Sequence, residues 1–256
     1  MLREKEVLFK YLYKTNLPEF EKEFETLLKI GQLLKPYLCD TFKLLKDNRH
    51  KNILYEGAQG VLLDNNYGTY PFVTSSNCIF NEIFNGSGPI YSDNVSVTGI
   101  AKAYCTRVGE GPFPTELKDK DGDNLAELGH EFGSTTGRPR RCGWLDLPLL
   151  KYAIDVSQIT NLALTKIDIL SKLDSFKVCV GYKYHGEIYK EYERSMDLYE
   201  VKPIFIVCDP FKDIFDGEDL SVELINFIKL IEEYIEIPVS LISFGPERNQ
   251  IKFLKD

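Results

Sequence analysis

No apolar run in this sequence approaches the roughly 18 to 20 residues that a helix needs to cross a bilayer, so no membrane partner is expected. The opening, MLREKEVLFKYLYK, has neither the apolar centre nor the small-residue cleavage site of a secretory signal, and the expected location is the cytoplasm. Basic charge is also in short supply: 31 Lys and Arg face 39 Asp and Glu, for a net charge of −8. General affinity for nucleic acid needs a broad basic surface, so no nucleic-acid partner is expected either. Histidine is scarce, and His50, His130 and His185 do not cluster. The six cysteines, at 39, 78, 105, 142, 179 and 208, form no C-x-x-C pair. Neither a zinc site nor a disulfide framework is indicated, and reduced, buried thiols are the expectation. Missing too is any Gly-x-x-x-x-Gly-Lys loop suited to a triphosphate.

What is present is 256 residues at 43% hydrophobic composition, enough to bury a substantial core, and a single domain over 1–256 is expected. Between 19 and 46, Phe20, Phe24, Leu27, Leu28, Leu33, Leu34 and Leu38 recur at helical spacing among charges, which predicts one or two amphipathic helices. NILYEGAQG reads as a buried strand delivering a loop. From 61 to 98 the chain is rich in Gly, Asn, Ser, Thr and Tyr, residues that make turns and hydrogen bonds rather than a core. GIAKAYCTRVG returns to strand-like alternation, and LPLLKYAIDVSQ predicts a helix capped by Asp146. NLALTKID, FKVCVGY, KPIFIVCD and PVSLISFG have the length and apolar content of strands. Leu220, Leu224, Ile225, Ile228, Ile231 and Ile235 share one face of a helix between Asp219 and Glu236. Strands interleaved with helices predict an α/β fold with ligands at the strand ends.

Four stretches carry chemistry. EFGSTTGRPRR, 131–141, sets three arginines within four positions of an acidic chain. The backbone and hydroxyls of Ser134, Thr135 and Thr136 can hold a carboxylate, and guanidinium forks bind carboxylate or phosphate in pairs of hydrogen bonds. The plain alternative is a solvated cluster of Arg138, Arg140 and Arg141, against which stands the fixing of the loop by Gly137 and Pro139. TKID, 165–168, ends an apolar strand: an aspartate there can accept from N1 and the exocyclic amine of guanine while the Lys166 stem lies along the ring, and adenine presents the opposite pattern. Taken alone, an exposed Lys and Asp at a strand end explains it as well. SFGP, 243–246, can offer backbone groups to a flat base, although Gly-Pro is commonly only a turn. Gln59 can meet a purine edge and Thr74 a phosphate, while a lone Gln or Thr more commonly satisfies buried backbone.

Taken in order, EGAQG, LLD, GTYPFVTSSN, KAYCTRVGEGPFPTE, HEFGSTTGRPRRCGWLDL, LTKIDIL and SFGP resemble the adenylosuccinate synthetase family from about residue 52 to the C-terminus. The resemblance implies a P-loop-like α/β sheet of mostly parallel strands with flanking helices, incomplete because the family's N-terminal portion has no counterpart here. It implies a ligase that joins inosine monophosphate (IMP) and L-aspartate with GTP hydrolysis to form adenylosuccinate. GTP is a co-substrate, Mg2+ a cofactor, and the enzyme a homodimer. It assigns Gln59, Thr74, Val108 and Arg138 to IMP. Ser134, Thr135, Thr136, Gly137, Arg138 and Arg140 fall to the aspartate, and Arg140, Lys166, Ile167, Asp168, Ser243, Phe244 and Gly245 to GTP. The family's phosphate loop, its aspartate base and magnesium ligand, and its histidine match nothing in this sequence. No catalytic residue and no metal ligand is therefore assigned, and the chain alone is expected not to turn over. The alternative is a non-catalytic fragment or subunit that binds guanine nucleotide and IMP. Residues 78–85, CIFNEIFN, depart from the Gly-rich stretch the family would place there.

Overall fold

The computed structural model describes residues 2–15, 20–88, 95–133 and 137–254. Where the sequence suggests a single domain, the residues group into two compact units, Met1–Ile53 and Leu54–Asp256. The first unit is helical: α1 (Leu2–Tyr11), α2 (Phe20–Leu34), a short 3-10 turn (Lys35–Tyr37) and α3 (Thr41–Asp47). Asp40 caps α3, accepting from the Lys43 amide at 3.1 Å, as the orphan donors of a helix start require. The stripe read from the sequence does form α2, yet Phe24, Leu27 and Leu28 remain exposed on it.

The second unit runs in chain order through α4 (Glu82–Ser87), β1 (Thr98–Lys102), β2 (Cys105–Arg107), α5 (Lys120–Leu128), β3 (Arg141–Gly143), β4 (Leu145–Asp146), α6 (Leu147–Ser157), β5 (Asn161–Thr165) and α7 (Ile167–Leu170). It continues through β6 (Phe176–Tyr184), β7 (Glu187–Tyr189), β8 (Lys202–Cys208), β9 (Phe215–Asp216), β10 (Asp219–Leu220), α8 (Val222–Ile235), β11 (Val239–Ser243) and β12 (Ile251–Phe253). The principal sheet has the order β1-β5-β11-β12. Its first three strands are parallel and β12 is antiparallel to β11, so the mostly parallel α/β sheet is the fold observed. A second sheet, which the sequence does not announce, joins β4 parallel to β6 and places β7 and β8 antiparallel to β6. β2 and β3 form an antiparallel ribbon.

The core lies between these layers. Leu162, Leu164, Val239 and Ile242 from the principal sheet are buried with Leu224, Phe227, Ile231 and Ile235 of α8. Phe176 meets Phe211 and Phe227 edge to face, with ring centroids 5.2 Å apart for Phe176 and Phe227. Removing a side chain of this size from water stabilises by about 1.5 to 3 kcal/mol. Asp146 caps α6 as expected, accepting from the Leu149 amide at 3.1 Å. α8 begins at Val222 rather than Asp219, because Asp219 and Leu220 pair with β9 first. β1 is the outer strand of the principal sheet; among the described residues it pairs only with β5, and Ile100 upon it is 80% exposed.

Two expectations need correction. NILYEGAQG is not a buried strand: residues 52–60 are irregular, and Leu54 is 92% exposed. An apolar run becomes a strand only where a neighbouring ladder accepts its backbone, and among the described residues none does. All six cysteines are free thiols, but Cys142 and Cys179 are buried, Cys78, Cys105 and Cys208 are partly buried, and Cys39 is exposed.

Candidate functional site

Parallel register decides which loops meet. Thr165, the last residue of β5, stands opposite Lys102 of β1, and Leu164 stands opposite Ile242 of β11. The carboxyl ends of the three strands therefore lie side by side, as ligand-binding loops in such sheets do. Lys166 follows β5, Phe244 follows β11, and the Ala103 amide after β1 donates to the Thr165 carbonyl at 2.8 Å. The stretches TKID and SFGP, 77 residues apart at Asp168 and Gly245, are thus brought to one edge of the sheet.

Lys166 has φ +65°, in the left-handed region that side chains other than glycine's rarely adopt. It starts α7, and its Nζ donates to the Gly129 carbonyl at 3.0 Å. The Ile167 side chain is fully buried, so only its backbone can reach a ligand, whereas Asp168 is partly exposed on the first turn of α7. Ser243 Oγ donates to the Gly245 carbonyl at 3.1 Å, and the Phe244 ring packs edge to face on Phe215. Gly245 lies so close to the Gln250 side-chain amide that a Cβ there would displace it.

The 131–140 stretch is a hairpin pinned at its base. The Arg140 amide donates to the Glu131 carbonyl at 2.9 Å, Gly133 donates to the Arg138 carbonyl at 2.8 Å, and Gly137 donates to the Gly133 carbonyl at 2.8 Å. Gly137 has φ +63°, a turn conformation that favours glycine. Ser134, Thr135 and Thr136 lie outside the described residues. The Arg138 side chain is exposed.

Arg140 and Arg141 both meet anions within the chain. Arg141 donates from Nε and Nη2 to the two Glu116 oxygens at 2.6 and 2.7 Å, and from Nη1 to the Gly111 carbonyl at 2.9 Å. This bidentate bond, the largest influence on Glu116, holds its carboxyl below the usual range. Arg140 donates from Nη1 to Glu131 Oε2 at 2.8 Å. Glu131, 1% exposed, also accepts from Lys102 Nζ at 2.7 and 2.8 Å and from the Tyr104 hydroxyl at 2.6 Å. Burial alone would raise the Glu131 pKa; the bonds from Lys102, Tyr104 and Arg140 outweigh it and hold the carboxyl below its ordinary value. The Tyr104 hydroxyl is pushed well above the usual phenol range, first by burial and then by Glu131. The sequence reading missed this cluster, whose one signal is a lysine, Lys102, set among Ile100, Ala101, Ala103 and Tyr104.

Of the residues read as facing a purine nucleotide, Val108 and Thr74 lie on loops that Arg107 fastens together. Register places Arg107 opposite Arg141, and Val108, which follows at the end of β2, is 59% exposed. Arg107 Nη2 reaches Thr69 Oγ1 at 3.0 Å and the Phe72 carbonyl at 3.2 Å, on the loop that carries Thr74. The Thr74 amide donates to the Leu63 carbonyl at 2.8 Å. That loop is organised by buried Asp64, which accepts from the amides of Asn66 at 2.8 Å, Tyr67 at 2.9 Å and Cys78 at 2.5 Å. Burial would raise its pKa, but these amide bonds together carry it below the ordinary value. Gln59 is exposed at φ +62°, and among the described residues its side chain meets the loop through a Cys78 Sγ contact to its Oε1 at 3.8 Å. The divergent 78–85 stretch supplies the start of α4 and a buried Ile79.

Among the described residues no group of three or more His, Cys, Asp or Glu side chains is placed to hold a metal ion. No described helix is long and apolar enough to cross a membrane.

Comparisons with known proteins bear on the family and the fold. The family model for adenylosuccinate synthetase matches residues 1–252. The adenylosuccinate synthetase of Francisella philomiragia is 51% identical over 260 residues, covering all of this chain and 60% of the relative; that of Francisella tularensis subsp. novicida is 50% identical with the same coverage. The chain thus spans 60% of the length of these curated relatives. Among solved structures, the fully ligated adenylosuccinate synthetase of Plasmodium falciparum superposes with a TM-score of 0.87 at 34% identity, over 96% of this chain and 61% of that one. A cyanophage S-2L succinoaminodeoxyadenylate synthetase, 17% identical with a TM-score of 0.54, covers 84% of this chain and 50% of its own, and shares the fold alone. With the family match running nearly end to end, the chain belongs to the adenylosuccinate synthetase family.

Proposed function

We propose that this chain supplies the guanine- and aspartate-binding side of an adenylosuccinate synthetase, a GTP-dependent carbon–nitrogen ligase that joins IMP to L-aspartate through a 6-phosphoryl intermediate. The observation that carries the reading is the parallel pairing of β1, β5 and β11, which sets Lys166, Asp168 and the Ser243–Gly245 backbone at one sheet edge. Asp168 accepts the N1 and exocyclic N–H groups of guanine, the Lys166 stem covers the ring, and the backbone after β11 borders it. Arg138 and Arg140, at the base of the hairpin, face the anionic groups of the reactants. Ser134, Thr135 and Thr136 bind the aspartate carboxylates, while Gln59, Thr74 and the backbone at Val108 hold IMP. The chain's own contribution is positional and electrostatic: two anions and an amine nucleophile are held together against their mutual repulsion. No residue of this chain is assigned as base or metal ligand, and the 256-residue chain assayed alone is expected to bind without turnover. The complete enzyme is read as a cytoplasmic homodimer that uses Mg2+.

Calorimetric titration tests this directly. The chain should bind GDP in preference to ADP, and Asp168→Asn should weaken GDP by about 1 to 3 kcal/mol through the loss of charged hydrogen bonds. Equal affinity for both nucleotides removes Lys166 and Asp168 from the role.

A further inference from the structure

Glu131 is a buried carboxylate whose acceptor capacity is fully used: two bonds come from Lys102, one from Tyr104 and one from Arg140. Lys102 is equally committed, because its three N–H groups go to Thr106 Oγ1 at 2.9 Å and to the two Glu131 oxygens. The ammonium can therefore meet no ligand without breaking a bond to its own chain. Arg140 differs. Glu131 grips it twice, at the backbone amide and at Nη1. Its Nε and Nη2 make no hydrogen bond with the described residues, and its side chain is 32% exposed. A charge-assisted hydrogen bond at one nitrogen anchors the guanidinium and limits how far its remaining donors can swing. Two residues before Glu131, the Gly129 carbonyl receives Lys166 Nζ. The short segment 129–131 thus touches both the arginine of the hairpin and the lysine beside Asp168.

We propose that Glu131 is the positioning residue for Arg140, aiming the outer donors of its guanidinium at an anionic group, the phosphates of a bound guanine nucleotide. This deepens the function proposed above and rests on it. A purely structural Glu131 would stabilise the fold and weaken binding by the same factor whether or not Arg140 is present. A positioning Glu131 acts only through Arg140, and a double-mutant cycle separates the two.

The experiment measures GDP binding by calorimetry on the full chain for wild type, Glu131→Gln, Arg140→Ala and the double variant. Glu131→Gln should raise the dissociation constant about tenfold in the wild-type background and less than about threefold when Arg140 is already alanine. Equal factors in the two backgrounds overturn the proposal. Because glutamine leaves Lys102 and Arg140 with less compensating charge, Tyr104→Phe provides a second arm that removes one bond to Glu131 with no change of charge. It should weaken GDP about two- to fivefold, again only when Arg140 is present. A wild-type chain that binds no GDP defeats the functional reading and this inference with it; binding with an additive cycle defeats the inference alone.

Discussion

Replacing Asp146 by asparagine should abolish most of the pH dependence that this one carboxyl imposes on folding. The Asp146 side chain is buried at the start of α6, with Oδ1 accepting from the Tyr182 hydroxyl at 2.6 Å and from the Leu149 amide at 3.1 Å. Its Oδ2 has no partner among the described residues. Burial raises the pKa from 3.8 to about 6, and the bonds from Tyr182 and Leu149 offset only part of that rise. Between these two values the folded chain keeps a proton that the unfolded chain has released. The contribution to stability is therefore complete below the unfolded pKa, declines as pH rises through the folded one, and is flat above it. At about 1.4 kcal/mol per tenfold change in proton affinity, the full decline is about 3 kcal/mol. Asparagine mimics the protonated acid, keeping an acceptor for Leu149 and Tyr182 without a charge to desolvate. Cys105 nearby, pushed up to about 12 chiefly by burial, stays neutral throughout. Urea unfolding can be followed through Trp144, the only tryptophan, which is 3% exposed. The stability of wild type relative to Asp146→Asn should fall by about 2 to 3 kcal/mol between pH 4 and pH 8. A difference that stays constant over that range would refute the reasoning.

Arg141→Lys should cost about 1.5 to 3 kcal/mol, because an ammonium cannot reproduce the paired bond to Glu116 together with those to the Gly109 and Gly111 carbonyls; an unchanged urea midpoint contradicts this. Asp64→Ala should open the 61–79 loop by releasing the amides of Asn66, Tyr67 and Cys78, at a cost of about 1 to 3 kcal/mol. Limited proteolysis should then cut within that loop well before wild type is cut, and identical digestion patterns would count against the role given to Asp64.

Much of the site was legible from local pattern, and what was not depends on distant partners. TKID and SFGP each close an apolar strand, so their meeting at one sheet edge follows once β5 and β11 pair in parallel. Asp146 announces a cap by standing before LPLLKYAIDVS, and the Ile231 and Ile235 stripe of α8 finds the core. By contrast, three arginines in an acidic chain suggested an external anion, and Arg141 and Arg140 are answered from within: Glu116 lies 25 residues before Arg141, and Glu131 holds Arg140. Nothing local marks a buried carboxylate as an organiser; its meaning comes from Lys102, 29 residues away. NILYEGAQG failed for the opposite reason, since apolar content says what a segment would bury but not whether a neighbour is there to receive it.

The outward side of β1 has a consequence for handling the protein. Its main-chain amides and carbonyls on that side form a ready ladder beside a nearly bare isoleucine, and any extended polypeptide that aligns with them gains both hydrogen bonds and apolar contact. Dilution, or a charged residue in place of Ile100, is the direct means of keeping copies of the chain apart.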